Sequence, residues 1–224
     1  MTVSRGLIEF CDFFNRAQAF TTTPGMNGWT IKDTSSAGTP TYLNATDLGA
    51  ALTLAATNEE EIVTLYQNDV LPYDLADIQR IEMVGKVSGI DSVTTLVFGL
   101  GSAQNDTEDS VATLAWFRMQ GSASTSNVVV ETDDGTNDND DKATGATLSS
   151  TFKKFIIDFT NGLADVRFFI DGQRVAAGTT FDMSNIASGT SVQPFVQLHK
   201  ASGTGTPAFH LRHLKIVAKY AYGA

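Results

Sequence analysis

The sequence holds one cysteine, Cys11, in 224 residues, so no intrachain disulfide can form. Folding is therefore expected in a reducing compartment. Long apolar runs are missing: none approaches the roughly 20 residues that cross a bilayer as a helix, and no membrane partner is expected. The opening stretch, MTVSRGLIEFCDFFNRAQAF, is interrupted by Glu9 and Asp12 and has no small-residue cleavage site, so it does not read as a secretory signal. Basic residues are scarce, 15 Lys and Arg against 25 Asp and Glu, for a net charge of −10. Counterion release on a nucleic acid needs clustered cations, and these are scattered, so no direct nucleic-acid partner is expected. Helical periodicity is almost absent, no repeat recurs at a fixed period, and no linker is long enough to divide the chain.

What remains is strand signal. Short apolar or alternating runs recur between clusters of Gly, Ser, Thr, Asn and Asp, as in a sandwich or barrel. The runs are 62–67, 78–87, 94–100, 113–119, 127–132, 152–159, 165–170, 173–176, 192–199 and 208–219. In 78–87, Ile81, Met83 and Val87 share one face while Arg80, Glu82 and Lys86 share the other, so one face is buried and one wet. Residues 73–78 form one short helical turn at most. Ser122–Ser126 and Asp133–Gly145 read as loops.

The segment DFTNGLADVRFFIDGQRVAAG (158–178) carries the clearest pattern. Phe155, Ile157 and Phe159 fall on one strand face, and Val166, Phe168 and Ile170 repeat the pattern across the Asn161-Gly162 turn. Asp171-Gly172 then turns the chain again; Asp-Gly between alternating apolar runs is a strong hairpin signal. These residues read as scaffold.

The stretches DVRFFIDGQRVAAGTTFDMSNI and VQPFVQLHKASGTGTPAFHLRHLKIV resemble the late strands of concanavalin A-like (laminin G-like) jelly rolls, and EFCDFF…GW is similar to the opening of that family. LVFGLGSAQNDTEDS, VVVETDDGTNDNDDKATG and FIIDFTNGLADVRFFIDG resemble segments of tailed-bacteriophage virion proteins. The resemblance covers most of residues 9–218. It implies an all-β, antiparallel jelly-roll sandwich over 21–224, preceded by a short N-terminal extension, residues 1–20, that serves as an arm and possible first strand.

It further implies a non-enzymatic virion protein that decorates or cements the capsid after folding in the host cytoplasm. Its partners would be the major capsid protein and further copies of itself, as a trimer or dimer. Arg5, Leu7, Ile8, Phe10, Phe13 and Phe14 are the expected interface residues, or, more simply, strand residues of the sandwich. A carbohydrate-binding, lectin-like adhesion module and a tail or baseplate component are the alternatives.

The same fold hosts glycosidases, whose retaining members carry carboxylates at E-x-D-x-x-E spacing, alternate strand positions placing them on one face. Glu131-Thr132-Asp133 starts such a pattern, but Thr136 stands where the last Glu belongs, and Glu59-Glu60-Glu61 has the wrong spacing. No enzymatic activity is expected on this ground. Asp133, Asp134, Asp138, Asp140 and Asp141 are a candidate Ca²⁺ cluster, but counting from Asp133 or Asp134 misses both the Gly and the Glu of an EF-hand loop. A solvated acidic hairpin loop is the simpler reading, and no other metal or cofactor is expected. His210 and His213 face opposite sides of a strand unless a bulge intervenes, which the change of apolar parity from Phe209/Leu211 to Leu214/Ile216 allows. Cys11 reads as a small buried residue rather than as half of a thiol–histidine dyad, Trp116 as core, and Trp29 as half-exposed. GLGSAQ (99–104) lacks the GK[ST] ending of a phosphate loop.

Overall fold

In a computed structural model of the chain, residues 5–14, 20–42 and 49–221 are described. Parts of the N-terminal arm, residues 1–4 and 15–19, lie outside the described residues. Among the described residues fifteen strands follow one another: β1 Arg5–Asp12, β2 Thr30–Asp33, β3 Ala50–Thr53, β4 Glu61–Tyr66, β5 Tyr73–Asp74, β6 Ile78–Ser88, β7 Thr94–Gly101, β8 Leu114–Gln120, β9 Asn127–Asp133, β10 Asp138–Thr147, β11 Lys153–Asp158, β12 Arg167–Ile170, β13 Gln173–Val175, β14 Ser191–Lys200 and β15 Ala208–Ala221. They form two antiparallel sheets. The first runs β1-β15-β6-β11-β12-β13 with β3 beside β15; the second runs β10-β9-β8-β7-β14-β4-β2 with β5 on β14. This is the expected sandwich, and the helical turn foreseen within 73–78 is a single 3-10 turn, Leu75–Asp77.

The sheets meet through alternate side chains. Phe98 of β7 and Phe117 of β8 interleave with Phe155 of β11, Phe168 of β12 and Phe209 of β15, ring centroids 4.9 to 5.4 Å apart across the sheets. Each such ring removed to alanine costs about 3–5 kcal/mol. The 158–178 segment does what its alternation demands: Phe155 pairs with Ile170 and Ile157 with Phe168, and all four are buried. Asp171 and Gly172 both take positive φ, 50° and 81°, the geometry a two-residue hairpin requires. In β15 the register against β6 slips between Leu211 and His213, which is the bulge that the parity change foreshadowed.

One local expectation is corrected. Residues 138–147, rich in turn formers, are not loop but strand β10, paired to β9 from Asp138↔Asp133 to Thr147↔Asn127 with two register shifts. An edge strand is held on one side only and tolerates bulges, so its composition need not be apolar. Arg5–Asp12, set apart in the sequence as arm or first strand, form β1 along β15, from Arg5↔Ala221 to Asp12↔Leu214.

The eight-stranded sheet is buried on both faces over its middle. Leu96, Phe98, Ala115, Phe117, Val196 and Leu198 point into the core, while Tyr66, Val97, Val111, Leu114, Trp116 and Phe195 form a second apolar cluster on the outer face. A segment spanning residues 102–113 lies over that cluster. Gln193 Nε2 donates to the Ser102 carbonyl (3.0 Å), Gln197 Nε2 to the Asn105 carbonyl (2.9 Å), and Lys32 Nζ to Gln104 and Asp106 (3.0 Å each). Gly99 leaves the space that Trp116 fills: a Cβ there would stand 2.7 Å from the Trp116 Cβ.

Candidate functional site

The strap of residues 102–113 leaves one cavity on either side of itself. Its consecutive residues Glu108 and Asp109 face one each. The first cavity, about 210 Å³, is lined by Leu114, Arg118 and Gln120 of β8, Glu131 and Asp133 of β9, Asp138, Asp140 and Asp141 of β10, and Asp109. Period-two geometry explains the set: Leu114, Arg118 and Gln120 share the outer side of β8, and Glu131 and Asp133 share that of β9. The second, about 370 Å³, is lined by Thr34, Glu60, Ile62, Asp106, Thr107, Glu108 and His199.

Glu131 is the centre of the first cavity. It is 2% exposed; Trp116 Nε1 donates to its Oε2 at 2.6 Å and Arg118 Nη1 to its Oε1 at 2.8 Å. Burial pushes its pKa up to about 7, against the pull of Arg118, and a hydrogen bond shared with Asp141 pushes the same way. A carboxyl in this condition keeps its proton near neutrality. Asp138 is likewise raised, by desolvation and by sharing a hydrogen bond with Asp140, and Asp109 is raised by desolvation.

Arg118 holds the carboxylates together: Nη1 lies 2.9 Å from Asp109, 2.8 Å from Glu131 and 4.0 Å from Asp141, and Nη2 lies 3.5 Å from Glu108. Glu108 also faces His199 Nδ1 at 3.8 Å, and His199 Nε2 meets Glu60 at 3.1 Å. Ionisable side chains therefore follow one another across the sheet from Glu60 through His199, Glu108 and Arg118 to Glu131. Glu108 and Glu60 hold the His199 pKa above its ordinary value; burial opposes them.

Of the candidate calcium residues, Asp133, Asp138, Asp140 and Asp141 come together at this cavity. Asp134 does not. Its carboxylate accepts backbone N–H groups of Thr136, Asn137 and Asn185 and so closes the β9–β10 turn. Among the described residues, no group of three His, Cys, Asp or Glu side chains is arranged to hold a metal ion.

The N-terminal candidates divide by side. Leu7, Ile8 and Phe13 are exposed, Phe10 packs against Trp29 and Tyr73, and Phe14 is buried; Arg5 contributes its backbone to β1. Cys11 is exposed rather than buried, because β1 turns it outward, with its Sγ 3.2 Å from His213 Nε2. Desolvation raises the thiol pKa and lowers that of His213, so the pair is not an activated thiolate–imidazolium. Phe13 stacks on the same ring at 4.8 Å. Trp29 is buried rather than half-exposed, its Nε1 donating to Asp12 Oδ2 at 2.9 Å.

Sequence reasoning weighed Glu131 and Asp133 as the start of a glycosidase pattern and missed Arg118 and Asp109. The available signal was polar residues at alternate positions of otherwise apolar strands, Arg118 in LAWFRMQ and Glu131 in NVVVETD.

No family model and no curated protein sequence matches this chain. Solved structures do. The carbohydrate recognition domain of Emp47p is similar with a TM-score of 0.57 at 11% identity, over 93% of this chain and 96% of that one. The catalytic domain of an endo-1,3-beta-glucanase (laminarinase) from Thermotoga petrophila is similar with a TM-score of 0.56 at 11% identity, over 99% and 100%. A glycoside hydrolase family 16 endo-glucanase from Bacteroides ovatus is similar with a TM-score of 0.56 at 13% identity, over 92% and 99%. The concanavalin A-like jelly-roll fold is thereby established. The expectation of a non-enzymatic virion protein cementing a capsid is overturned: these similarities run to glycosidases and a carbohydrate recognition domain, and none of them ties the chain to a virion. The departure at Thr136 that argued against an enzyme loses its force as well, because strand pairing delivers carboxylates to Glu131 from β10 and the strap.

Proposed function

We propose that the chain acts on saccharides: it binds a glycan at the cavity beside β9, and Glu131 supplies the proton for cleavage of a glycosidic bond. The observation that carries this is the Glu131 carboxyl, fixed by Trp116 and Arg118 at the floor of an acidic cavity, where burial pushes its pKa up to about 7. Glycosidic cleavage needs an acid that protonates the leaving oxygen and a second carboxylate that receives the positive charge or activates water. Asp133, two residues along the same face of β9, and Asp109 across the cavity are placed for the second role. In the reaction, the substrate oxygen takes the proton that Glu131 otherwise shares with Asp141, the C–O bond breaks, and water supplies the hydroxyl and the proton that restores the acid. Glucan hydrolysis and carbohydrate recognition, the activities of the similar structures, support the same class of ligand.

The test is release of reducing ends from a panel of β-glucans, chitosan and mucin-type glycans, with the wild type and Glu131→Gln side by side. Turnover by the wild type that falls at least about 100-fold in the variant, with binding retained, is the expected outcome. Wild-type turnover that survives in Glu131→Gln removes Glu131 from the chemistry.

A further inference from the structure

The cavity that holds Glu131 does not end at its own rim. Gln120 of β8 and Asp141 of β10 also line a second cavity, of about 220 Å³, whose other walls are Ala123, Ser124, Asn127 and Val129. Period-two geometry makes the two continuous along the strands: Arg118 and Gln120 on β8, with Glu131, Val129 and Asn127 on β9, project from one outer face. Neither cavity alone reaches the roughly 300–1,000 Å³ of pockets that enclose a small organic ligand; the two joined do.

The strap closes the direction across the sheet. Val111 is buried with Trp116 and Phe195, Ser102 N–H donates to the Thr113 carbonyl at 2.8 Å, and Gln104 N–H donates to Asp69 Oδ1 at 2.8 Å. A chain bound at Glu131 and crossing the strands toward β14 would have to displace this segment and break the 2.9 Å contact between Arg118 and Asp109. A chain that runs along β8 and β9 meets the second cavity instead.

The chemistry changes along that path. Around Glu131 the lining is acidic; beyond Asp141 it is Gln120, Ser124 and Asn127 with the apolar Ala123 and Val129. The two amides donate and accept as sugar hydroxyls do, without charge. Ser124 Oγ accepts from Asn127 N–H at 3.1 Å, which leaves its O–H to donate to a ligand. Asp141 stands between the halves: it shares a hydrogen bond with Glu131 on one side and lines the second cavity on the other, so a linkage between two sugar units falls beside the acid.

Resting on the saccharide reading above, we propose that the second cavity is a sugar-binding subsite. The ligand is an oligosaccharide of at least two units lying along β8 and β9, its second, uncharged unit held by Gln120, Ser124 and Asn127, and it does not cross the sheet past the strap.

Titration calorimetry on the whole chain tests this with glucose and with sulfur-linked β-1,3 and β-1,4 glucose oligomers of two to four units, whose thioglycosidic bonds resist cleavage. The expected result is two-unit ligands binding roughly tenfold tighter than glucose, a factor that two added hydrogen bonds readily supply. Asn127→Trp, at an exposed position, fills the second cavity and removes that gain. Thr107→Trp, which fills the cavity beyond the strap, leaves the gain in place. The length series uses the wild type alone, so it does not depend on the folding of either variant. Equal affinity for glucose and its oligomers, a gain that survives Asn127→Trp, or one that Thr107→Trp removes, overturns the subsite while leaving the saccharide reading in place. Absence of binding by every one of these sugars overturns both.

Discussion

Glu131→Gln also tests the acid without a substrate, because a proton that the folded chain holds and the unfolded chain releases makes stability depend on pH. The unfolded chain releases this proton near the ordinary glutamate value of 4.5, and the folded chain keeps it until about 7. Across that window the native state binds more protons than the unfolded one, so stability falls as pH rises. The contribution is fully present below 4.5 and gone above 7. At about 1.4 kcal/mol per pH unit, the difference amounts to about 3 kcal/mol. Glutamine holds the same two donors, Trp116 and Arg118, on one oxygen at best, but it does not titrate. Denaturant unfolding of both proteins at several pH values from 4.5 to 8 gives the comparison. Wild-type stability should fall relative to the variant by up to about 3 kcal/mol over that range, while groups common to both, Asp109 and Asp138 among them, largely cancel. A difference that stays flat, or that rises with pH, would refute the protonated carboxyl and with it the acid role.

Two further perturbations probe what holds the site. Lys200 and Glu61 form an ion pair at 3.1 Å with both side chains fully buried, and the ammonium also donates to the carbonyls of Ala55 and Thr57; Lys200→Ala leaves a buried charge alone and should cost about 3–5 kcal/mol in thermal or denaturant unfolding. Gly99→Ala places a methyl against Trp116 and should cost about 1–3 kcal/mol by overpacking, together with a change in Trp116 fluorescence, since the indole must shift away from Glu131.

The sandwich was legible because its strands alternate. Ile81/Met83/Val87 against Arg80/Glu82/Lys86 in β6, and Phe155/Ile157 against Phe168/Ile170 in the hairpin, each state a buried face that only one register satisfies. Even the β15 bulge left its mark in the parity of Phe209/Leu211 and Leu214/Ile216. The site was legible only in fragments. Glu131 and Asp133 stand two apart, and the acidity of 133–141 is plain, but Asp109 and Arg118 reach them through strand pairing and a strap, neither of which has a local signature. Reading β10 as loop hid the geometry, since Asp138 faces Asp133 only once the two strands pair. A pair of like charges placed directly opposite is unfavourable in a bare sheet, so composition alone argued against the arrangement that occurs.

Strand β10 has a second consequence. It is the last strand of the eight-stranded sheet, so one side of its backbone has no neighbour among the described residues, and such a border invites another chain to add itself. Asp138, Asp140, Asp141 and Lys142, with one register shift between Asn139 and Lys142 and a second between Ala143 and Thr147, make that border charged and uneven. The carboxylates that shape the cavity therefore also keep one molecule from zipping onto the next. One set of side chains at the margin of one sheet thus both lines the cavity and guards the border.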